Sequence, residues 1–377
     1  SVAYFNAGSS IYDGFFLTRL HEKFDVFLLT FNPKPKFLPK GIDSIIIPEL
    51  IGQLPGHDSP RIYSTMPLKT LILKKTLKNL RPDVLIGCGG LDYGVCSALS
   101  NYKPFVLFIW GSEVLLAPSF LPFRALVKYS LRKADYVFVD SYVQLRACVK
   151  LGCNIGKIIR FPWFDSAELE KLVKSVKVEK GEFRKKFGWF ESDPIIICTR
   201  SHMKTYNVEC IVKAIPAVLD HVKNARFLFL GEGTLTMKLK QLVYDLDVEK
   251  NVYFTGFISH EKIPYYLKNS DIYVSSSLSD GTSASLLEAM TCKLPCIVSD
   301  ISGNKEWIKN MINGLVFPIK DSRALAKKII MLVENEDLSR RLAENAFKTV
   351  HEKANWKKNS KFLNNLIERL AERKNAR

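Results

Sequence analysis

Residues 271–300 read DIYVSSSLSDGTSASLLEAMTCKLPCIVSD. The apolar run Ile272-Tyr273-Val274 is strand-like and closes on a Ser-rich loop. Asp280-Gly281 follows, then the helical pattern Leu286-Leu287-Glu288-Ala289-Met290, then a second apolar strand at 295–300. Strand, helix, strand is a βαβ unit, the building block of a parallel sheet. The helix start falls near 283–285. There the first N–H groups have no partner and the dipole is positive, which makes an anion site. Gly281 lets backbone approach a ligand with no Cβ in the way. Asp280 stands on the loop, and Glu288, one turn into the helix, can accept hydrogen bonds from a diol. Ser285-x-x-Glu288 also has the spacing of a capping box, which needs no ligand. Both readings stand at this point.

The same alternation runs outward in both directions. Strand patterns fall at 2–5, 25–31, 44–47, 83–87, 105–110 and 136–140, with helical patterns between them near 12–22, 66–80, 91–99, 119–132 and 142–151. It restarts with strands at 194–200, 225–233, 251–256, 271–277 and 295–300, and helices near 206–221, 234–246, 260–268, 283–292, 321–335 and 337–350. Continuous apolar strands such as DVLIG and FVLFIW suit a parallel sheet buried on both faces. Steady alternation means α/β. Residues 163–192 are charged and hold no strong strand, so the junction between two domains falls there. The expected division is 1–165, 166–352 and a Lys-rich amphipathic last helix over 353–377, packing back on the first domain. Two facing sheets leave a cleft, and ligands sit beyond the carboxyl ends of the strands.

A chain of 377 residues is too long for one ordinary core and suits two. With 47% apolar and 25% charged residues it is globular rather than disordered. The net charge of +17 points to acidic partners. The excess is shared, +8 over 1–165 and +9 beyond, so no single basic tail explains it. No apolar run is long enough to span a membrane. The opening VAYF is strand-like and no leader is visible. The eight cysteines form no CxxC pair and read as buried free thiols of a reducing compartment. The expected location is cytoplasmic, or the inner face of the membrane. The six histidines have no metal-ligand spacing, and no Asp-x-Asp ends a strand, so no metal site is expected.

DGTSASLLEAMTCKLPCIV resembles the acid-x7-acid signature of family 4 glycosyltransferases with the GT-B fold, EGFGL-x-x-x-E-A-x-A-x-G-x-P-V. This chain departs from it with Asp280 for the first Glu, Thr282-Ser283 for Phe-Gly, and Lys293 for a Gly. FLFLGEG at 227–233, NVYFTGFISHEKIPYYLKNSDIYVSSS at 251–277, RPDVLIG at 81–87, KPFVLFIWGSEVL at 103–115 and LRKADYVFVDS at 131–141 fit the same family. The likeness covers nearly the whole chain. It implies two facing Rossmann-like domains, the first on the acceptor side and the second holding a nucleotide-sugar. It also implies retaining, metal-independent hexosyl transfer from a UDP- or GDP-type donor to a hydroxyl acceptor, lipid-linked acceptors included. No cofactor beyond the donor is implied.

Family roles carry over residue by residue. Arg200 matches an Arg that grips the donor diphosphate, for which a forked guanidinium is suited. A Lys partner belongs just before a helix-starting Gly, where this chain has Tyr206-Asn207; nearby Lys204 is the candidate substitute. Asp280 would hold donor-sugar hydroxyls and Glu288 the ribose. Backbone N–H groups around Ser283, Ala284 and Ser285 would meet the phosphates, with Gly281 and Thr282 also on the donor-binding loop. Thr255-Gly256-Phe257-Ile258 would border the base, with Phe257 either a stacking face or core. In the first domain, Gly8 in Ala7-Gly8-Ser9-Ser10 stands either at the family's Gly-rich loop near the β-phosphate and acceptor or in a simple strand-to-helix turn. Trp110-Gly111-Ser112-Glu113 resembles His-Gly-Ser-Asp; Trp110 cannot transfer a proton, and Glu113 either holds sugar hydroxyls or caps a helix.

Gly231-Glu232-Gly233 has Thr236 at the third glycine position, so a dinucleotide fingerprint is incomplete and a turn packed on a helix is expected. Segment 69–81 carries Lys69, Lys74, Lys75, Lys78 and Arg81 with no acid, beside Leu71, Ile72, Leu73, Leu77 and Leu80. It reads either as a face for an anionic membrane or as the solvated side of a core helix. A second basic stretch is 124–133. Aromatic-basic interleaving is absent, so no nucleic acid is expected. The competing classes are a non-catalytic nucleotide-binding partner of another transferase and a nicotinamide oxidoreductase.

Overall fold

The structure, a computed structural model, describes residues 1–8, 11–47, 65–116 and 119–375. Ser9 and Ser10 lie outside the described residues. The chain divides into two compact units, Ser1–Trp163 with Lys357–Arg377, and Phe164–Trp356.

In the first unit, β1 (Val2–Phe5), β2 (Val26–Thr30), β3 (Asp43–Ile46), β4 (Val84–Cys88), β5 (Phe105–Phe108), β6 (Tyr136–Val139) and β7 (Ile158–Arg160) form one sheet. Among the described residues its order is β3-β2-β1-β4-β5-β6-β7, all parallel. The helices are α1 (Ile11–His21), α2 (Met66–Leu80), α3 (Asp92–Ser100), α4 (Ser112–Leu115), α5 (Leu121–Lys133) and α6 (Tyr142–Lys150). Leu73 and Leu77 of α2, Val95 and Cys96 of α3, and Val127 and Leu131 of α5 join Phe5, Leu85, Leu107 and Val137 in one core. The last helix, Trp356–Asn375, buries Leu363, Ile367 and Leu370. Lys374 Nζ donates to Pro82 O and Tyr102 Oη, and Asn359 Nδ2 donates to Pro162 O at 3.0 Å, tying this helix to the first unit.

The second unit opens with α7 (Ser166–Ser175) and α8 (Lys180–Lys185). It continues β8 (Ile195–Cys198), α9 (Val208–His221), β9 (Arg226–Leu230), α10 (Thr236–Asp245), β10 (Val252–Gly256), α11 (Ile263–Lys268) and β11 (Ile272–Ser275). Then come α12 (Ala284–Thr291), β12 (Cys296–Ser299), α13 (Ser302–Lys305), β13 (Leu315–Phe317), α14 (Ser322–Glu334) and α15 (Glu336–Lys353). The described sheet runs β10-β9-β8-β11-β12-β13, again parallel. β8, β11 and β12 are buried along their whole length, which is why their sequences are continuous rather than alternating.

Two strands escape the sequence pattern. β7 and β13 are three residues each and stand at sheet edges, so they carry little periodicity. α2 divides the stripe expected to be one face. Leu73 and Leu77 enter the core, while Leu71 is 63% exposed. Lys69 is buried rather than surface-facing, 3.9 Å from Asp92 and 4.5 Å from the Phe31 ring centroid. Lys74, Lys75 and Lys78 are exposed. All eight cysteines are free and buried. No described helix is long and apolar enough to cross a membrane.

Candidate functional site

The second sheet reverses its winding at β8, which pairs with β9 on one side and β11 on the other. The loops leaving β8 and β11 meet at the carboxyl ends of their strands, the place where ligands bind in such sheets, and Leu278 N donates to Thr205 O at 2.8 Å across them. Arg200 lies two residues past β8, and Asp280 to Ser283 lead from β11 into α12. Arg200 Nη1 donates to Ser283 Oγ at 2.8 Å and to Ser285 Oγ at 2.9 Å. Its Nη2 meets Asp280 Oδ2 at 2.6 Å. The guanidinium carbon lies 3.8 Å from the Tyr206 ring centroid, a cation–π stack. Burial opposes the charge, but Asp280, with Tyr206 and Tyr273, more than offsets it, so Arg200 is held above its ordinary pKa. Nε has no partner among the described residues. A buried cation with a spare donor faces a carboxylate that a ligand anion could displace.

Ser283 is the N-cap residue of α12 yet makes no side-chain cap bond. Its hydroxyl, like that of Ser285, serves Arg200, and Ser285 also meets Tyr273 Oη at 2.9 Å. The capping-box reading of Ser285 and Glu288 is thereby corrected: Ser285 is already inside the helix, and Glu288 faces elsewhere. The N–H groups of Ala284 and Ser285 have no acceptor among the described residues. Gly281 is buried and Thr282 half-buried. A Cβ built on Gly303 would overlap the carbonyl oxygens of Asp280 and Gly281, so α13 packs its backbone directly under this loop.

Glu288 is buried, and its Oε1 lies 2.9 Å from His260 Nε2. Burial disfavours the His260 charge, while the Glu288 hydrogen bond and charge, with Glu261 behind them, lift its pKa above the ordinary value. His260 ends the loop that leaves β10 through Gly256, whose φ is +73°. On that loop Phe257 is 75% exposed, which rules out a core role; Ile258 is half-buried.

Lys204 is exposed on the single turn Lys204–Tyr206. Asn207 adopts the left-handed conformation, φ +48°. Tyr206, just before it, stacks on Arg200, so this place next to the guanidinium holds an aromatic face and no charge. Gly231-Glu232-Gly233 packs on a loop, not a helix: a Cβ at Gly233 would strike the His202 carbonyl. In the first unit, Gly8 has φ +62°, and a Cβ there would lie 2.9 Å from Leu28 and Pro35 atoms. Glu113 is buried and accepts from the N–H groups of Trp110 at 2.6 Å and Gly111 at 2.7 Å. Burial raises its pKa and these amides oppose the rise. Trp110 packs edge-to-face on Trp163, 5.9 Å between centroids.

Sequence reasoning thus missed Tyr206 as a platform, Tyr273 behind Ser285, His260 and Gly303. His260 was visible as a polar residue just after the base-bordering segment; Tyr206 depends on how its turn folds back on Arg200, and Tyr273 and Gly303 on contacts between separate elements.

Two Rossmann-like units, the second with a buried arginine beside a helix start where its sheet reverses, define a doubly wound α/β protein. The comparisons narrow it. Residues 179–349 match the model for glycosyl transferases group 1, and residues 1–141 match that for glycosyl transferase 4-like domains. The chain belongs to the family 4 type glycosyltransferases of the GT-B fold. It is 24% identical over 278 residues to N-acetyl-alpha-D-glucosaminyl L-malate synthase of Bacillus anthracis, covering 72% of this chain and 70% of that one. It is 26% identical to a GDP-mannose-dependent phosphatidylinositol monomannoside mannosyltransferase of Corynebacterium glutamicum, covering 61% of each. It spans 62% and 45% of the length of two other curated relatives, an uncharacterized glycosyltransferase of Methanocaldococcus jannaschii and a putative one of Bacillus subtilis. Among solved structures, Anabaena Alr3699/HepE in complex with UDP superposes with a TM-score of 0.79 at 15% identity, covering 97% of this chain and 99% of that one.

Proposed function

We propose that this protein transfers a hexose, with retention at the anomeric carbon and without a metal ion, from a UDP- or GDP-type sugar to a hydroxyl acceptor in glycolipid or polysaccharide assembly. One observation carries this reading: the order of groups along α12. At its start Arg200 from the β8 loop meets two serine hydroxyls and unpaired N–H groups, and Glu288 follows three residues after Ser285. One helical turn is about 5.4 Å. A diphosphate at the helix start and a ribose diol at the carboxylate are neighbours at that spacing in any nucleoside diphosphate.

In this reading Asp280 releases Arg200 to the diphosphate and takes donor-sugar hydroxyls instead. Arg200, Lys204 and the helix end stabilise the leaving group. Thr282, Ala284 and Gly281 line its approach, and Phe257 with Ile258 borders the base. The acceptor oxygen bonds to the anomeric carbon as the sugar–phosphate bond breaks, and its proton passes to the leaving phosphate on the same face. The UDP complexes of the Anabaena protein and the lipid acceptor named for the mannosyltransferase support this class of donor and acceptor. Lys74, Lys75 and Lys78 on α2 and Arg124 and Lys128 on α5 are exposed and make no ion pair among the described residues. They suit an anionic membrane surface at the cytoplasmic side, where a lipid-linked acceptor would be presented.

The test is a thermal-shift panel of UDP, GDP, ADP, their sugars and NAD, followed by hydrolysis of the best donor. Stabilisation by a nucleoside diphosphate with donor turnover is expected. Protection by NAD alone would make it an oxidoreductase. Nucleotide binding with no donor consumed, whatever the acceptor, would make it a non-catalytic partner.

A further inference from the structure

We infer that His260 is a positioning residue that fixes the orientation of Glu288 and couples the base-bordering loop to recognition of the ribose; this rests on the nucleotide-sugar reading above. Glu288 and His260 come from different elements, α12 and the turn after β10, and meet at 2.9 Å. The side chains are 3% and 14% exposed. A buried carboxylate needs a hydrogen-bond partner to keep one orientation. Among the described residues, His260 is the donor that reaches it, and it engages Oε1. No described donor reaches Oε2, which is left for a ligand hydroxyl.

The bond has a second consequence. His260 lies three residues past Phe257, so holding its ring against α12 also holds the exposed Phe257 and half-buried Ile258 at a fixed offset from Glu288. Base border and ribose carboxylate are then set by one contact. Among the described residues, Glu288 from α12 and Glu261 beside it in the chain act on His260. Both favour the imidazolium, a charge-assisted donor to the carboxylate.

The experiment measures Kd for UDP, GDP and ADP and their 2′-deoxy forms, with inorganic pyrophosphate as a control. Wild type, His260→Ala and His260→Gln are compared. Wild type should prefer the ribo form by roughly 10- to 100-fold, the worth of a hydrogen bond to a charged group. In His260→Ala that preference should fall below about threefold, while pyrophosphate binds as in wild type. His260→Gln keeps an N–H donor and should retain a clear preference. A merely structural histidine would change the melting temperature and leave the ribo-to-deoxy ratio intact in both variants; that result overturns the inference. Failure of the wild type to bind any nucleoside diphosphate would instead overturn the reading beneath it, and this inference with it.

Discussion

Replacing Arg200 with Ala separates the structural from the functional demand on this residue. Three donated bonds are lost, to Ser283, Ser285 and Asp280. The serines keep each other at 3.2 Å, and Ser285 keeps Tyr273. The Asp280 side chain is 17% exposed and can hydrate. The folding cost is therefore about 1–3 kcal/mol, below the roughly 3–5 kcal/mol of stranding a fully buried charge. In a protein with units of this size that lowers Tm by roughly 3–10 °C. The functional cost is larger. Removing a positioned donor to a developing oxyanion costs ~10²–10³ in rate. Loss of a charge-assisted bond to the diphosphate weakens its binding by roughly 10- to 100-fold. Calorimetry with a nucleoside diphosphate and single-turnover donor hydrolysis read these separately. A folded Arg200→Ala variant with nucleotide Kd and turnover within about threefold of wild type would refute the assignment.

Gly303→Ala should displace the Asp280-Gly281 backbone. A misplacement of about 1 Å costs on the order of 10² in kcat, measured against an unchanged far-UV spectrum. The His260–Glu288 pair should stabilise the protein fully below about pH 6.5 and lose that contribution as pH climbs through the raised value of His260. Tm of wild type minus His260→Gln, followed from pH 6 to 9, should fall accordingly; a flat difference contradicts it. Changing Lys74, Lys75 and Lys78 to Glu should abolish sedimentation with anionic liposomes, and raising salt should do the same to the parent. Equal sedimentation of the two proteins rules the α2 surface out.

Most of the fold was legible because buried parallel strands leave continuous apolar runs and their helices leave a 3.6-residue period. β7 and β13 were not, since an edge strand of three residues leaves neither. The site was legible where one segment carries it: 280–288 announces an anion-binding helix start by itself. It was not legible where distant segments meet. Gly303 under Asp280 and His260 against Glu288 join loops 23 and 28 residues apart, and Arg200 reaches Asp280 across 80, while Tyr206 stacks on Arg200 because the short turn between them folds back. α2 shows the converse failure. Its cations and leucines form a tempting pattern, yet Lys69 is buried beside Asp92 and Leu73 and Leu77 belong to the core.

The most direct measurement is a crystal structure with the tightest-binding nucleoside diphosphate soaked in. Phosphate oxygens should lie within hydrogen-bond distance of the Arg200 guanidinium and the N–H groups of Ala284 and Ser285, with Asp280 turned away from Arg200. A nucleotide bound elsewhere, with Arg200 still paired to Asp280, would contradict the account.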